Sequence, residues 1–424
     1  MNTTRSLRVC ALLCVLAMVT IGCTATAPPP AAVELVWMTG DIRAEVAAPD
    51  VAAVWNEQHP DGPRVRVEAL HGGADEQRQL LAVELNAGLP TFDVFDLDVI
   101  FTGEFAERGW LLDLEKLRSK IEDVTLPTPL NTAVWDDTLW AAPYTTDVGL
   151  LYYRSDLVPA PPTSWAELTD MGQRIAAEQG IAPFVADGRQ YEGLTVQYLE
   201  YLWGAGGELL DTDDGSVALE QGPAQRAVEF MRTAYDTGFY APGFDTMDLE
   251  LARETFQSGG AVFMRSWPYA YKLMNGPDPD PLSNVVGKVG IAALPTFDGT
   301  GTTPALGGHG LAVNRYSGNP DAAVEFVEFV ATSPEVQRML AKEHSLAPTL
   351  RSVYEDPADD PMDPLMPLLA RVLPQARPRP PSPEWPSITK EIQQQVFTTY
   401  TGKKMPAQAV NDLRSVLAAT TEAR

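Results

Sequence analysis

The sequence predicts an α/β protein built around mostly parallel sheets. Three observations carry that expectation. The chain has 424 residues, enough for two domains of ordinary size. Hydrophobic residues make up 45% and charged residues 21%, the balance of a globular chain with a sizeable core. Strand-like and helix-like segments also alternate along it, the rhythm of βα units.

The alternation starts after residue 32. Residues 33–38 (VELVWM) read as a buried strand, and 49–58 as an amphipathic helix with Pro49 in its first turn. Residues 64–70 (RVRVEAL) alternate as a strand, 74–86 have helical spacing, and 92–98 (FDVFDLD) form a third strand before the helix-like FTGEFAERG. A second block follows Pro143. Residues 148–154 (VGLLYYR) predict a strand, and Ser164 to Glu167 has capping-box spacing at the start of a long helix. Helices are predicted at 194–204, 223–236 and 249–257, and strands at 261–264 and 286–293. Residues 311–314 and 320–331 resume the strand-then-helix pattern, and the remainder is mainly helical around a Pro-rich stretch at 376–386. No internal repeat is present.

The N-terminus reads as a targeting segment. Arg5 and Arg8 precede an apolar run at 9–21, which suits a signal-peptide core and falls short of the roughly 20 residues a membrane span needs. Gly22-Cys23 and the small, Pro-rich spacer after it resemble a bacterial lipobox, with Thr20 in place of the usual Leu. The expectation is a signal peptide over 1–22, lipidation of Cys23, and an anchored spacer over 23–32. With Cys10 and Cys14 removed, Cys23 stays as the sole cysteine, so the mature chain has no internal disulfide. The net charge of −26 becomes −28 without Arg5 and Arg8. So acidic a domain should repel nucleic acid and anionic headgroups.

Signatures of catalysis are scarce. The sequence has no GxxxxGK[ST] loop, no HExxH and no GxSxG. His59, His71, His309 and His344 lack metal-ligand spacing, so no metal and no cofactor is expected. Ser387-Ile-Thr-Lys390 matches SxxK without the elements that accompany a nucleophile, and Ser387 reads better as a helix N-cap. Asp96 and Asp98 lie two apart on a strand, facing one way and about 6.5–7 Å apart. That spacing admits a glycosidase acid/base pair. It equally admits a hydroxyl-binding crevice, because ligands of open α/β sheets bind at the carboxyl ends of strands.

Several segments together carry a resemblance. They are GADEQRQLLAVEL (73–85), DLDVIFTGEFAERGWLLDL (96–114), WAAPYTTDVGLLYYRSDL (140–157), PTSWAEL (162–168), QYEGLTVQYLEYLWGAGGELL (190–210), MRSWPYAY (264–271), LGGHGLAVN (306–314) and RPPSPEWPSIT (379–389). In this order the chain resembles the extracellular solute-binding proteins of ABC importers, in the maltose/trehalose-binding group. The resemblance implies a two-lobed, type II periplasmic-binding-protein-like fold whose lobes are joined by crossing hinge strands. Lobe 1 would hold 33–143 and 296–333, and lobe 2 would hold 144–295 and 334–424, with sugar between them.

The resemblance also implies the site. Asp98 and Asp147 would accept hydrogen bonds from hydroxyls, with Asp147 standing where trehalose binders carry Asn. Glu192 and Gly193 of the YEG motif would approach from the second lobe, Trp267 would stack on a pyranose face, and Arg379 would donate a planar fork. Gly308 and His309 occupy a motif in which relatives often carry Trp or another apolar residue, and Asp41 and Gln77 complete the expected set. No residue would be catalytic. The implied function is a monomeric, lipid-anchored binding protein on the extracytoplasmic face of the membrane. It would deliver trehalose or another α-glucoside to a permease and its ATPase. An anionic glucoside such as glucosylglycerate is the alternative ligand, through Arg379 and His309. A secreted glycoside hydrolase using Asp96, Asp98 or Glu192 is the alternative class.

Overall fold

The computed structural model describes residues 33–211, 215–276, 279–355 and 364–422. The expected signal peptide over 1–22, the expected spacer over 23–32 and Cys23 lie outside the described residues. The strands in chain order are β1 Glu34–Gly40, β2 Arg64–Leu70, β3 Val94–Asp98, β4 Val134–Trp135, β5 Thr138–Leu139, β6 Ala142–Val148, β7 Leu150–Arg154, β8 Ala182–Val185, β9 Ala261–Ser266, β10 Val289–Ala293, β11 Leu306–Val313 and β12 Ala347–Pro348.

Two mixed sheets result, one in the order β12-β6-β11-β3-β1-β2 and one in the order β10-β7-β9-β8, with β4 and β5 as a separate pair. The expectation of mostly parallel sheets holds for β2, β1 and β3, which are joined by helical crossovers. It fails where the chain returns from afar: β11 runs antiparallel to β3 and β6, and β7 antiparallel to β9 and β10. Residues 148–154 also depart from expectation. They read as one strand because nearly all favour β structure, yet β6 ends at Val148 and β7 starts at Leu150 in the other sheet. Gly149 makes the passage: a Cβ there would lie 2.1 Å from Glu200 Oε1 and 2.8 Å from Arg265 Nη2.

Helices cover both sheets. Helix Pro320–Thr332 lies on β6 and β11, and its Phe326 meets Trp37 and Trp55 edge to face at 5.5 and 5.3 Å. On the second sheet, helix Trp165–Gln179 starts as its spacing predicts. Ser164 accepts from Glu167 N at 3.2 Å, Glu167 accepts from Thr163 N at 2.9 Å, and Gly180 closes the helix with φ +71°. Helix Trp385–Tyr400 packs on Glu192–Gly204, Gln221–Asp236 and Pro406–Glu422. Its N-cap is Glu384, so Ser387 sits inside the first turn and is not the cap. Helix Pro334–His344 packs against β12, which pairs with β6 in the first sheet. Among the described residues no helix is long and apolar enough to cross a bilayer.

Candidate functional site

A cavity of about 480 Å³ opens between the two sheets, and all ten residues expected at the site lie on its wall. The first sheet supplies its floor. Strand β11 runs between β3 and β6, in a register that sets His309 opposite Asp98 and Gly307 opposite Asp147. That register needs a glycine at 308, whose φ is +118° and whose Cβ would stand 2.5 Å from Thr145 O. Asp41 opens helix Asp41–Val46, facing His71 Nδ1 at 2.6 Å and accepting from Gly72 N at 3.2 Å. Gln77, on helix Ala74–Asn86, donates to Gly72 O at 2.7 Å.

From the other side come Glu192 and Gly193, at the start of helix Glu192–Gly204. Position 193 admits no side chain, because a Cβ would fall 2.4 Å from the Tyr191 hydroxyl oxygen. Trp267 follows β9, with the Arg265 guanidinium 3.9 Å from its ring centroid. Arg265 in turn makes a buried two-pronged pair with Glu200, at 3.0 and 2.6 Å.

Arg379 ties the two walls together. It donates through Nη1 to Glu192 Oε1 at 2.9 Å and through Nη2 to Asp98 Oδ1 at 3.2 Å. Glu192 also accepts from Trp385 Nε1 at 3.3 Å and from the Thr389 hydroxyl, so both its oxygens are engaged by protein. Burial pushes its carboxyl up to about 7, against the pull of Arg379. Asp96 is engaged more completely: Trp37 Nε1, Thr39, Arg43 Nε and Tyr144 all donate to it. His309 is held well below the ordinary imidazole range, first by burial and then by Arg43 and Arg379, and is neutral.

Among the described residues, four atoms of the lining side chains are buried without a hydrogen-bond partner: Asp147 Oδ1, Arg189 Nε, His309 Nδ1 and Arg379 Nε. Buried polar atoms are almost always paired, so four orphans around one cavity leave its wall with unmet hydrogen-bonding capacity. Sequence reasoning missed Arg43, Asp187, Arg189, Tyr191, Glu250 and Tyr269, which also line the cavity. Only Tyr191 and Tyr269 had a usable signal, since each lies within a matched segment. Among the described residues, no three His, Cys, Asp or Glu side chains gather as metal ligands.

Comparisons with known proteins bear on this arrangement. The sequence model of the family described as bacterial extracellular solute-binding protein matches residues 38–337. A Deinococcus radiodurans protein named a "probable ABC transporter-binding protein" is 31% identical over 371 residues, covering 84% of this chain and 86% of the relative. Maltodextrin-binding protein MdxE of Bacillus subtilis is 22% identical over 335 residues, 74% of each chain. Among solved structures, maltose-bound MalE3 of T. maritima superimposes with a TM-score of 0.86 at 32% identity, covering 92% of this chain and 100% of that one.

Proposed function

Because the chain belongs to the bacterial extracellular solute-binding proteins, whose two-lobed α/β fold it shares, we propose that it captures a sugar in the interlobe cavity for an ABC importer. The orphaned polar atoms facing the same cavity as Trp267 carry this reading. A sugar presents hydroxyls around its edge and C–H bonds on its faces. The first group pairs with Asp98, Asp147, His309 and Arg379, and the second lies on an indole. A cavity of about 480 Å³ is of the size that encloses small ligands. The maltose bound by the T. maritima neighbour supports the same ligand class. Trehalose or another α-glucoside is our first choice.

In this reading Glu192 holds Arg379 and leaves hydroxyl binding to its neighbours. The lobes follow the two sheets. The first takes β1–β3, β6, β11 and β12, and the second takes β7–β10 with the C-terminal helices, which moves 144–148 and 347–348, expected in lobe 2, to the first. One hinge segment passes through Gly149. Cys23 is the lipid attachment point, the protein is a monomer, and delivery is to a permease and its ATPase. No step is chemical. Asp96 and Glu192, which a hydrolase would need free, are engaged by four and three donors. Eight acidic side chains line the cavity against three arginines. Arg43 and Arg379 are already paired, which disfavours an anionic glucoside.

Thermal stabilisation across a panel including trehalose, maltose and glucosylglycerate tests the reading. A neutral disaccharide should raise the midpoint and be recovered intact. Asp98→Ala should lower affinity by about 10- to 150-fold, equivalent to about 1.5–3 kcal/mol. No stabilisation by any sugar, or release of monosaccharide, would refute capture.

A further inference from the structure

We propose that Asp147 takes part in capture as a neutral carboxylic acid, donating one hydrogen bond to the ligand and accepting another. The proposal rests on the sugar-binding reading and deepens it by giving one residue of that site a protonation state.

Asp147 lies on β6 at the floor of the cavity, opposite Gly307. Among the described residues no hydrogen bond or ion pair reaches it, and Oδ1 is buried without a partner. Charged and titratable neighbours face it from several elements, and none of them bonds to it. Arg43 approaches from helix Asp41–Val46 but donates to Asp96 at 2.7 Å. Arg265, on β9, is paired with Glu200. Asp98, on β3, adds a like charge. Tyr152 on β7 donates to Trp267 O at 2.7 Å, and Tyr354 on helix Arg351–Glu355 donates to Pro348 O at 2.9 Å. His309 on β11 is neutral. An ionised carboxylate there has no donor to hold it and one oxygen shut away from solvent, and the cheapest remedy is a proton. Burial, with Asp98 adding to it, pushes this carboxyl up to about 7, against the pull of Arg43 and Arg265.

A protonated carboxyl offers one donor and one acceptor, the inventory of a side-chain amide. A vicinal diol needs that combination when Asp98 already supplies acceptors alone. Neutral Asp147 therefore does the work of an Asn, and does it only while it keeps its proton.

Two measurements decide this, one without ligand. In urea titrations the unfolded chain gives up the Asp147 proton near pH 4, whereas the folded protein keeps it to about 7. Wild type should therefore lose stability relative to Asp147→Asn as pH rises through that window, and the difference in midpoints should then level off. A difference constant from pH 4 to 8 would overturn the proposal whatever the ligand is. In calorimetry with trehalose and maltose from pH 5.5 to 8.5, wild-type affinity should fall about tenfold per pH unit above about 7. Asp147→Asn should show no such fall, and at pH 8.5 should bind more tightly than wild type. Glu192 and Asp187, whose carboxyls burial raises to about 7 and about 6, are present in both proteins and cancel in the comparison. Wild-type affinity that stays level or rises with pH overturns the proposal while leaving sugar capture standing. Absence of binding by either sugar at every pH counts against the sugar reading, and the urea arm still decides the proton.

Discussion

Arg379 shows how much one side chain carries in this site. Its guanidinium holds Glu192 and Asp98 at once, with the Arg379 and Glu192 side chains each 3% exposed. Removing one member of a buried charged cluster strands the others in a poorly solvating interior. Arg379→Ala should therefore destabilise the protein by about 3–5 kcal/mol, read from urea denaturation. The same substitution in a Glu192→Gln background should cost clearly less, because the carboxylate it strands is gone. Equal costs in the two backgrounds would mean that the pair contributes nothing. Arg379 was legible in the sequence as a candidate because it opens the RPPSPEWPSIT segment. Its engagement with Glu192 was not, since nothing local reports on a residue 187 positions away. Asp96 makes the same point in reverse. Its position two residues before Asp98 suggested shared chemistry, whereas the fold surrounds it with four donors and gives it a structural task.

Elements were read best where their signals are local. The capping box at Ser164 and Glu167, followed by the left-handed Gly180, set both ends of helix Trp165–Gln179. Ser164→Ala should cost about 1 kcal/mol, because the Glu167 N–H loses its acceptor at the first turn. Urea midpoints check this, and a change below about 0.3 kcal/mol would mean that water replaces the cap. Strands 64–70 and helix 74–86 match the expected bounds, since alternation and helical period are properties of a few successive residues. β8 was missed: four residues carrying Pro183 have little period of their own, and pairing with β9 makes them a strand. β6 was missed for a related reason. Its Thr-Thr-Asp centre reads as a loop, and its pairing with both β11 and β12 supplies the ladder.

Across the whole molecule, the two walls of the cavity touch beyond Arg379. Asp75, on helix Ala74–Asn86, accepts from Glu192 N at 2.9 Å and from Gln393 Nε2 at 3.4 Å. Arg189 lies 3.9 Å from Glu76 at the exposed rim. Asp75 does not line the cavity, yet it bonds the first turn of the helix that carries Glu192 and Gly193. A contact present only when the lobes are shut favours ligand through the conformational equilibrium and needs no contact with it. Asp75→Ala should therefore weaken sugar binding by about 5- to 100-fold in calorimetry. A loss below about twofold would place the Asp75 bond in the open state as well.

What the sequence by itself determined is the set of features written in short windows: the helical and strand periods, the cap at Ser164 and the ordered family segments that nominated ten cavity residues. What only the tertiary structure decided is which of those residues are already satisfied and which are not. Arg379 meets Asp98 across 281 positions, Glu192 is engaged by Trp385 and Thr389 from a distant helix, and Asp147 is left with an orphaned oxygen. The physical reason is that a polar group's state depends on its solvent and its donors. Both are set by chain segments that come together only when the sheets and helices close around the cavity.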